Sequence, residues 1–169
     1  AMIVEPALAR WDYESARTVW RERLSDPEVE RTRLQLAIQC LGIVKDADAL
    51  SALLKIVNDV NAEVPLRVSA ARASAKIGHD ELIAAANDLA SVGADQPTAS
   101  LLAATLLTEQ SGAEAVTTLK RIAAVDSVAT SGLALGRLLE IDPSHVYSFT
   151  ASVLRSTDVN IRRVGCKAL

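Results

Sequence analysis

Aromatic side chains are scarce in this sequence. They make up 3% of its 169 residues, although half of all residues are hydrophobic. The apolar side chains are therefore mostly Ala, Leu, Val and Ile, and Ala and Leu are among the strongest helix formers. Seven glycines and five prolines leave room for few turns. This composition favours an all-α fold with short connections, and the length is sufficient for a domain with a sizeable core.

Clustered basic residues and long apolar runs are also missing. The formal net charge is −3 and the basic residues are scattered, whereas nucleic-acid binding usually leaves a clustered basic footprint. No stretch approaches the roughly 18 consecutive apolar residues of a membrane-spanning helix. We therefore expect neither a nucleic-acid partner nor a membrane partner.

Residues that carry catalysis or bind metals are few. His79 and His145 are the two histidines, and neither has a metal-ligating partner one helical turn away, as a helical metal site requires. Phosphate-binding glycine loops and nucleophile elbows are absent as well. The sequence thus predicts no catalytic residue, no cofactor, no metal and no enzymatic activity.

The carboxylates and cysteines have structural interpretations. Cys40 and Cys166 lie far apart within apolar helical stretches, so we expect two buried free thiols. Most carboxylates stand where helices are expected to begin, and there they complement the helix dipole. These residues are Asp46, Asp48, Asp80, Glu81 and Asp126.

The first predicted amphipathic helix spans residues 12–24. Its apolar stripe contains Ala16, Val19, Trp20 and Leu24, at the spacing of one helical face. Trp20 is therefore expected in the core, and Trp11 is expected to cover one end of the fold. After this helix, Asp26 is predicted to cap the next helix, with Pro27 at its first position. Asp142-Pro143 and Asp126-Ser127 are expected to act similarly.

An internal repeat extends over most of the chain. Residues 34–50 and 67–83 align at an offset of 33, and each reads as an Ala-rich helix, a short polar turn and a second helix. The pattern continues more faintly through residues 101–116 and 128–146. The second helices share an apolar anchor at intervals of 33, 33 and 30 residues: Leu50, Ile83, Val116 and Val146. Repeats of this length indicate stacked supersecondary units.

Residues 66–73, LRVSAARA, resemble the opening of a HEAT repeat of the short bacterial kind, which also occurs in phycobilin-lyase-type proteins. Residues 76–81 resemble the turn of that repeat, Leu41-Gly42 resembles its Leu-Gly pair, and Ile161-Arg162 resembles its apolar-Arg opening. The resemblance covers residues 26–169 and is clearest in the first two full repeats. Ala99 and Val128 depart from it, because they stand where the opening Arg is expected.

The resemblance implies a right-handed α-solenoid of antiparallel helical hairpins, with about four repeats plus partial ends. We expect a single domain over residues 1–169. Residues 158–169 read as the first helix of a further repeat, which Asp158 is predicted to cap. Its predicted apolar stripe contains Ile161, Val164, Ala168 and Leu169. This suggests a fragment of a longer array whose exposed ends could self-associate. Residues 138–143 also resemble the end of a tetratricopeptide repeat, an alternative that leaves the all-α class unchanged.

By the same resemblance, the function is expected to be a non-catalytic protein–protein interaction or scaffold module of a larger protein. The alternative is an accessory or catalytic domain of a lyase-like or glycosylase-like enzyme. In solenoids of this kind the second helices usually line the concave face, which would bind a protein or peptide. The polar candidates there are Lys55, Asn58, Asp59, Asn87, Asp88, Lys120 and Arg121.

Overall fold

A computed structural model describes residues 4–92, 96–124 and 128–169. Within these ranges it contains eleven α-helices, two 3-10 helices and no strand, so the predicted all-α class is confirmed. The internal contacts divide the chain into two compact units, Ala1–His79 (unit 1) and Asp80–Leu169 (unit 2). A single domain over residues 1–169 stays a prediction.

Unit 1 is built from two sets of helices. The first, third and fifth helices pack side by side, and the second packs beside the fourth. A 3-10 helix, Ala47–Ala49, leads into the fourth. In chain order the five are α1 (Val4–Arg10), α2 (Glu14–Ser25), α3 (Arg31–Ile43), α4 (Leu50–Asn58) and α5 (Val64–Ile77).

Helices α3 and α5 approach each other closely at Gly42. A Cβ atom on Gly42 would lie 2.8 Å from the Cα atom of Ala73, a separation that real side chains do not tolerate. The missing side chain of Gly42 therefore allows the close packing of the two helices. Helix α5 ends at Ile77 and is followed by Gly78, whose φ of 71° suits a residue without a side chain.

A carboxylate with no solvent exposure joins α2 to the turn before α4. The Nε and Nη2 atoms of Arg21 donate to the two oxygens of Asp46 at 3.0 and 2.7 Å, and the Asp46 side chain is 0% exposed. The backbone N–H of Ala49 donates to the same carboxylate at 3.1 Å. Asp46 is thus the helix cap that the sequence predicts and also an ion-pair partner between two elements.

A second buried carboxylate, Glu5, joins α1 to α2. The indole Nε1 of Trp20 donates to Glu5 Oε2 at 3.0 Å, and Arg23 Nη1 donates to the same oxygen at 2.7 Å. Trp20 is 1% exposed, which confirms its predicted place in the core. The indole N–H is a donor that must find an acceptor when buried, and Glu5 supplies it.

Unit 2 repeats the alternating pattern of contacts. The first helix packs beside the third, and the second, fourth and sixth pack in succession. A 3-10 helix, Pro143–Phe149, follows the fourth. In chain order the helices are α6 (Glu81–Ser91), α7 (Pro97–Leu106), α8 (Ala113–Ala123), α9 (Val128–Ile141), α10 (Thr150–Arg155) and α11 (Val159–Ala168).

The predicted caps are confirmed at two helix starts of unit 2. The Asp142 carboxylate accepts the N–H of Ser144 at 2.8 Å. Asp158 accepts the N–H groups of Asn160 and Ile161 at 2.8 and 3.0 Å. The helix predicted to begin at Asp158 therefore forms, whereas Asp126 and Ser127 lie outside the described residues.

The cap predicted at Asp26 is wrong. Helix α3 begins at Arg31 with Glu30 at the capping position, four residues beyond Pro27. The Asp26 carboxylate instead accepts the N–H of Glu28 at 2.9 Å, and its carbonyl accepts the N–H of Val29. The hydrogen-bond acceptors of Asp26 are therefore used within a short local turn, as is common for aspartate before a helix.

Three apolar side chains are more exposed than the sequence predicts. Val19 is 44% exposed, because Ala16 and Trp20 define the buried face of α2 and the preceding residue points about 100° away. Cys166 is exposed, whereas Cys40 is buried as expected. On α11 the buried residues are Ile161, Gly165 and Ala168, which turns Cys166 outward and leaves Leu169 82% exposed.

Candidate binding surface

The polar residues predicted on the second helices fall in both units. Lys55, Asn58 and Asp59 lie at the end of α4 in unit 1 and are exposed. Asn87 and Asp88 lie on α6 of unit 2, and Lys120 and Arg121 lie on α8. Of these seven residues, the structure brings Asn87 and Arg121 together across two helices.

Asn87 is the centre of a small hydrogen-bonded cluster between α6 and α8. Its side-chain oxygen accepts two hydrogen bonds, one from the hydroxyl of Thr118 at 2.5 Å and one from Arg121 Nη2 at 3.3 Å. Arg121 Nη2 also lies 3.4 Å from the backbone oxygen of Asn87. The oxygen of the amide is therefore occupied within the protein, and this fixes the orientation of the side chain.

A shallow depression of about 420 Å³ lies over this cluster. Its polar side chains belong to Asn87, Glu114, Thr117 and Thr118. Glu114 and Arg121 are exposed at the same pair of helices. The surface thus offers an amide N–H₂, a guanidinium and a carboxylate within one small area, a mixture of donors and acceptors without a dominant charge.

The sequence reasoning missed Thr118 and Glu114. Thr118 follows Asn87 by 31 residues, close to the repeat offset of 33, which places Lys120 at the position equivalent to Asn87. Searching one helical turn around the equivalent position would have found both Thr118 and Arg121. The 33-residue offset therefore indicates which face of α8 corresponds to Asn87, but it does not predict which residue on that face contacts Asn87.

The chemically versatile side chains are dispersed. His79 is an exposed residue just after α5, and His145 lies in the 3-10 helix after α9. Among residues 4–92, 96–124 and 128–169, no three His, Cys, Asp or Glu side chains are grouped so that they could hold a metal ion. Backbone hydrogen bonding from Ser144 lowers the pKa of Asp142, which fits its capping role.

Cys40 is an unsuitable nucleophile. Burial raises the pKa of its thiol to about 11, with a further increase from the nearby Glu5 carboxylate and a decrease from Arg23. The reactive form of cysteine is the thiolate, which is a small minority at neutral pH when the pKa is this high. Cys40 is therefore an inert core residue.

The two tryptophans form no shared pocket. Trp11 is 78% exposed in the turn after α1, and Trp20 is 1% exposed in the core of unit 1. Trp11 precedes Asp12, whose backbone is in the left-handed region with a φ of 53° and whose carboxylate pairs with Arg17. The expectation that Trp11 covers an end of the fold stays a prediction.

Comparisons with family models, with curated proteins and with solved structures found no match for this chain. The likeness to HEAT repeats therefore depends on the residues of the repeats themselves. Within the described ranges, no helix is long and apolar enough to cross a lipid bilayer.

Proposed function

We propose that this chain is a HEAT-like α-solenoid that acts as a non-catalytic protein-interaction module of a larger protein. The 33-residue period supports the repeat architecture. So does the packing within each unit, where alternate helices lie side by side as they do in stacked hairpins. The same stacking supports a scaffold role, since repeat arrays present long surfaces to their partners.

The partner proposed is a protein or peptide bound along the second helices, which line the concave face in HEAT-like solenoids. The observation that carries this proposal is the cluster of Asn87, Thr118 and Arg121. Because the Asn87 oxygen is held by Thr118 and Arg121, its N–H₂ group is oriented to donate to an incoming carbonyl. Glu114 adds a carboxylate that accepts hydrogen bonds from backbone or side-chain N–H groups.

The chemical character of this surface fits a polypeptide better than a small substrate. It is shallow, whereas small-molecule sites are concave and mostly apolar. It also carries charges of both signs, whereas a nucleic-acid surface needs concentrated positive charge. An extended peptide presents alternating donors and acceptors, which such a face can pair.

The test is a selection of peptides from a random displayed library on the purified chain, followed by affinity measurements on the selected peptides. The double variant Asn87→Ala/Arg121→Ala removes the central amide and the guanidinium. We expect it to weaken binding of the dominant peptides by about tenfold or more, as loss of a central interface cluster does.

The matched control is Asn160→Ala/Arg163→Ala, which removes the same two residue types from exposed positions of α11. Its affinity for the same peptides should stay within about twofold of the parent value, a difference of less than about 0.5 kcal/mol. Equal losses in both variants would contradict the proposed surface. So would a selection that yields only peptides insensitive to the Asn87→Ala/Arg121→Ala change.

A further inference from the structure

A groove of about 290 Å³ runs between α3 and α5, and all of its lining residues belong to unit 1. It lies where Gly42 meets Ala73, at the closest approach of the two helices. The side chains that give it chemical character are Gln39 and Ile43 on α3, and Ser69, Arg72 and Lys76 on α5. We call this feature the α3–α5 groove.

The ionisable side chains that line the α3–α5 groove are both basic. Arg72 and Lys76 are one helical turn apart on α5, and both are exposed. In the described part of the chain neither forms a salt bridge or a side-chain hydrogen bond. At the other end of the same two helices, by contrast, Arg31 pairs with Glu63 at 2.6 Å. Positive charge is thus balanced at one end of the helix pair and unbalanced at the groove.

The helix dipole accounts for only part of this charge. Lys76 lies in the last turn of α5, where a cation interacts favourably with the dipole. Arg72 lies a full turn earlier, and the dipole effect falls off within the last turn. A guanidinium exposed beside a groove without a carboxylate partner is suited to bind carboxylates in a bidentate manner.

The other lining residues favour a peptide over a nucleic acid. Ile43 is 37% exposed and offers an apolar contact, and the exposed amide of Gln39 can pair with a peptide backbone. A groove of this volume accommodates a few side chains. Two cations on a chain of net charge −3 fall well short of the roughly 6–10 phosphate contacts that nucleic-acid binding uses.

We propose that the α3–α5 groove binds an acidic segment of a partner protein. Carboxylates of the segment pair with Arg72 and Lys76, and a neighbouring apolar side chain packs on Ile43. The proposal uses residues of unit 1 only, so it can fail while the surface of α6 and α8 still binds peptides, and the reverse is equally possible.

The probe is a fluorescent ten-residue peptide of alternating glutamate and leucine, measured by polarisation with the full chain. Two companion peptides carry glutamine or lysine in place of glutamate. The acidic peptide should bind, with an affinity that falls as salt is added, and the companions should bind at least about tenfold more weakly. The variant Arg72→Glu/Lys76→Glu should lose about tenfold or more of the affinity for the acidic peptide.

The control is Arg163→Glu/Lys167→Glu, which reverses an exposed Arg and Lys at the same spacing near the end of α11. It changes the net charge equally and should leave the affinity within about twofold. If the reversed groove variant unfolds, as judged by circular dichroism, Arg72→Gln/Lys76→Gln replaces it and should still lose more than the control.

Four results would overturn the proposal. The first is no measurable binding of the acidic peptide at millimolar concentration, and the second is an equal loss in both variants. The third is equal binding of the lysine peptide. The fourth is tighter binding of single-stranded DNA than of the acidic peptide, with the DNA affinity lost in Arg72→Glu/Lys76→Glu.

Discussion

The polar contacts inside unit 1 differ in kind from those inside unit 2. In unit 1, two buried carboxylates accept hydrogen bonds between elements, Asp46 from Arg21 and Glu5 from Trp20 and Arg23. Unit 1 also has a neutral acceptor, the backbone carbonyl of Val57, which accepts Arg67 Nε at 2.9 Å. In unit 2, the described acceptors between helices are neutral, the Asn87 amide and the backbone carbonyl of Gln110, which accepts Arg137 Nε at 3.1 Å. Unit 1 should therefore be the more sensitive of the two to the loss of one charged side chain.

The largest expected effect comes from Asp46→Ala. This change removes the buried carboxylate partner of Arg21, leaves it only the exposed Asp48, and leaves the N–H of Ala49 without its cap. Hydrogen bonds to charged groups contribute about 1.5–3 kcal/mol and a helix cap about 1 kcal/mol, so we expect the free energy of unfolding to fall by about 3 kcal/mol. Chemical denaturation followed by circular dichroism measures the loss, and hydrogen exchange should locate it in unit 1.

Two variants test whether the charge explains this sensitivity. Asp48 pairs with the same arginine at 3.0 Å, but its side chain is 74% exposed, so Asp48→Ala should cost less than about 0.5 kcal/mol. In unit 2, Thr118→Val removes the hydroxyl that Asn87 accepts and should cost about 1 kcal/mol. A cost for Thr118→Val as large as that of Asp46→Ala would show that the two units do not differ in this way.

A smaller effect is expected from glycine substitution in the two units. In Gly42→Ala the new Cβ would lie 2.8 Å from the Cα atom of Ala73, so α3 and α5 must move apart. Overpacking of this kind costs about 1–3 kcal/mol, and the gain in helix propensity offsets up to about 1 kcal/mol of it. The free energy of unfolding, measured by urea denaturation, should fall by about 1–2 kcal/mol.

Gly136 is the matched position in unit 2. It lies inside α9, and a Cβ there would have no heavy atom within 4 Å. Gly136→Ala should therefore raise the free energy of unfolding by about 0.5–1 kcal/mol. If both alanine variants are stabilised, the close approach of α3 and α5 at Gly42 is not a constraint on unit 1.

The smallest perturbation is a thiol titration of the unmodified chain. Cys166 is exposed, whereas Cys40 is buried with a pKa of about 11. At pH 8 Ellman's reagent should react rapidly with Cys166 and with Cys40 only after denaturant is added.

The same thiol makes stability depend on pH. Because folding raises the pKa of Cys40 from 9.0 to about 11, the free energy of unfolding should fall as pH rises from about 9 to about 11. Rapid reaction of both thiols in the native chain would contradict the buried position of Cys40.

The sequence was sufficient to predict elements whose formation depends on local pattern. The Ala-rich run in α5 and the cap at Asp158 follow from neighbouring residues, and both were predicted correctly. Asp26 was not, because an aspartate followed by proline has two local solutions, a helix cap and a short turn. In this chain the turn forms, and α3 begins at Arg31, four residues after Pro27.

The candidate surfaces were only partly predictable. Asn87 and Arg121 were identified as polar residues on second helices, but Thr118 was not, because its contact with Asn87 depends on how α6 and α8 are aligned. The α3–α5 groove was missed altogether. It depends on the contact of Gly42 with Ala73, a pairing between helices that no spacing within one helix reveals.

The bond between Arg21 and Asp46 also constrains how this protein can evolve. The Asp46 side chain has no contact with solvent, so a mutation at Arg21 leaves this buried carboxylate with only a longer ion pair to Arg17, at 3.9 Å. A mutation at Asp46 removes the acceptor that joins two elements. We expect a change at either position alone to lower the stability of unit 1, so the two residues should vary together. Asp48, which shares the same arginine from the surface, is free to vary, so descendants should differ there first.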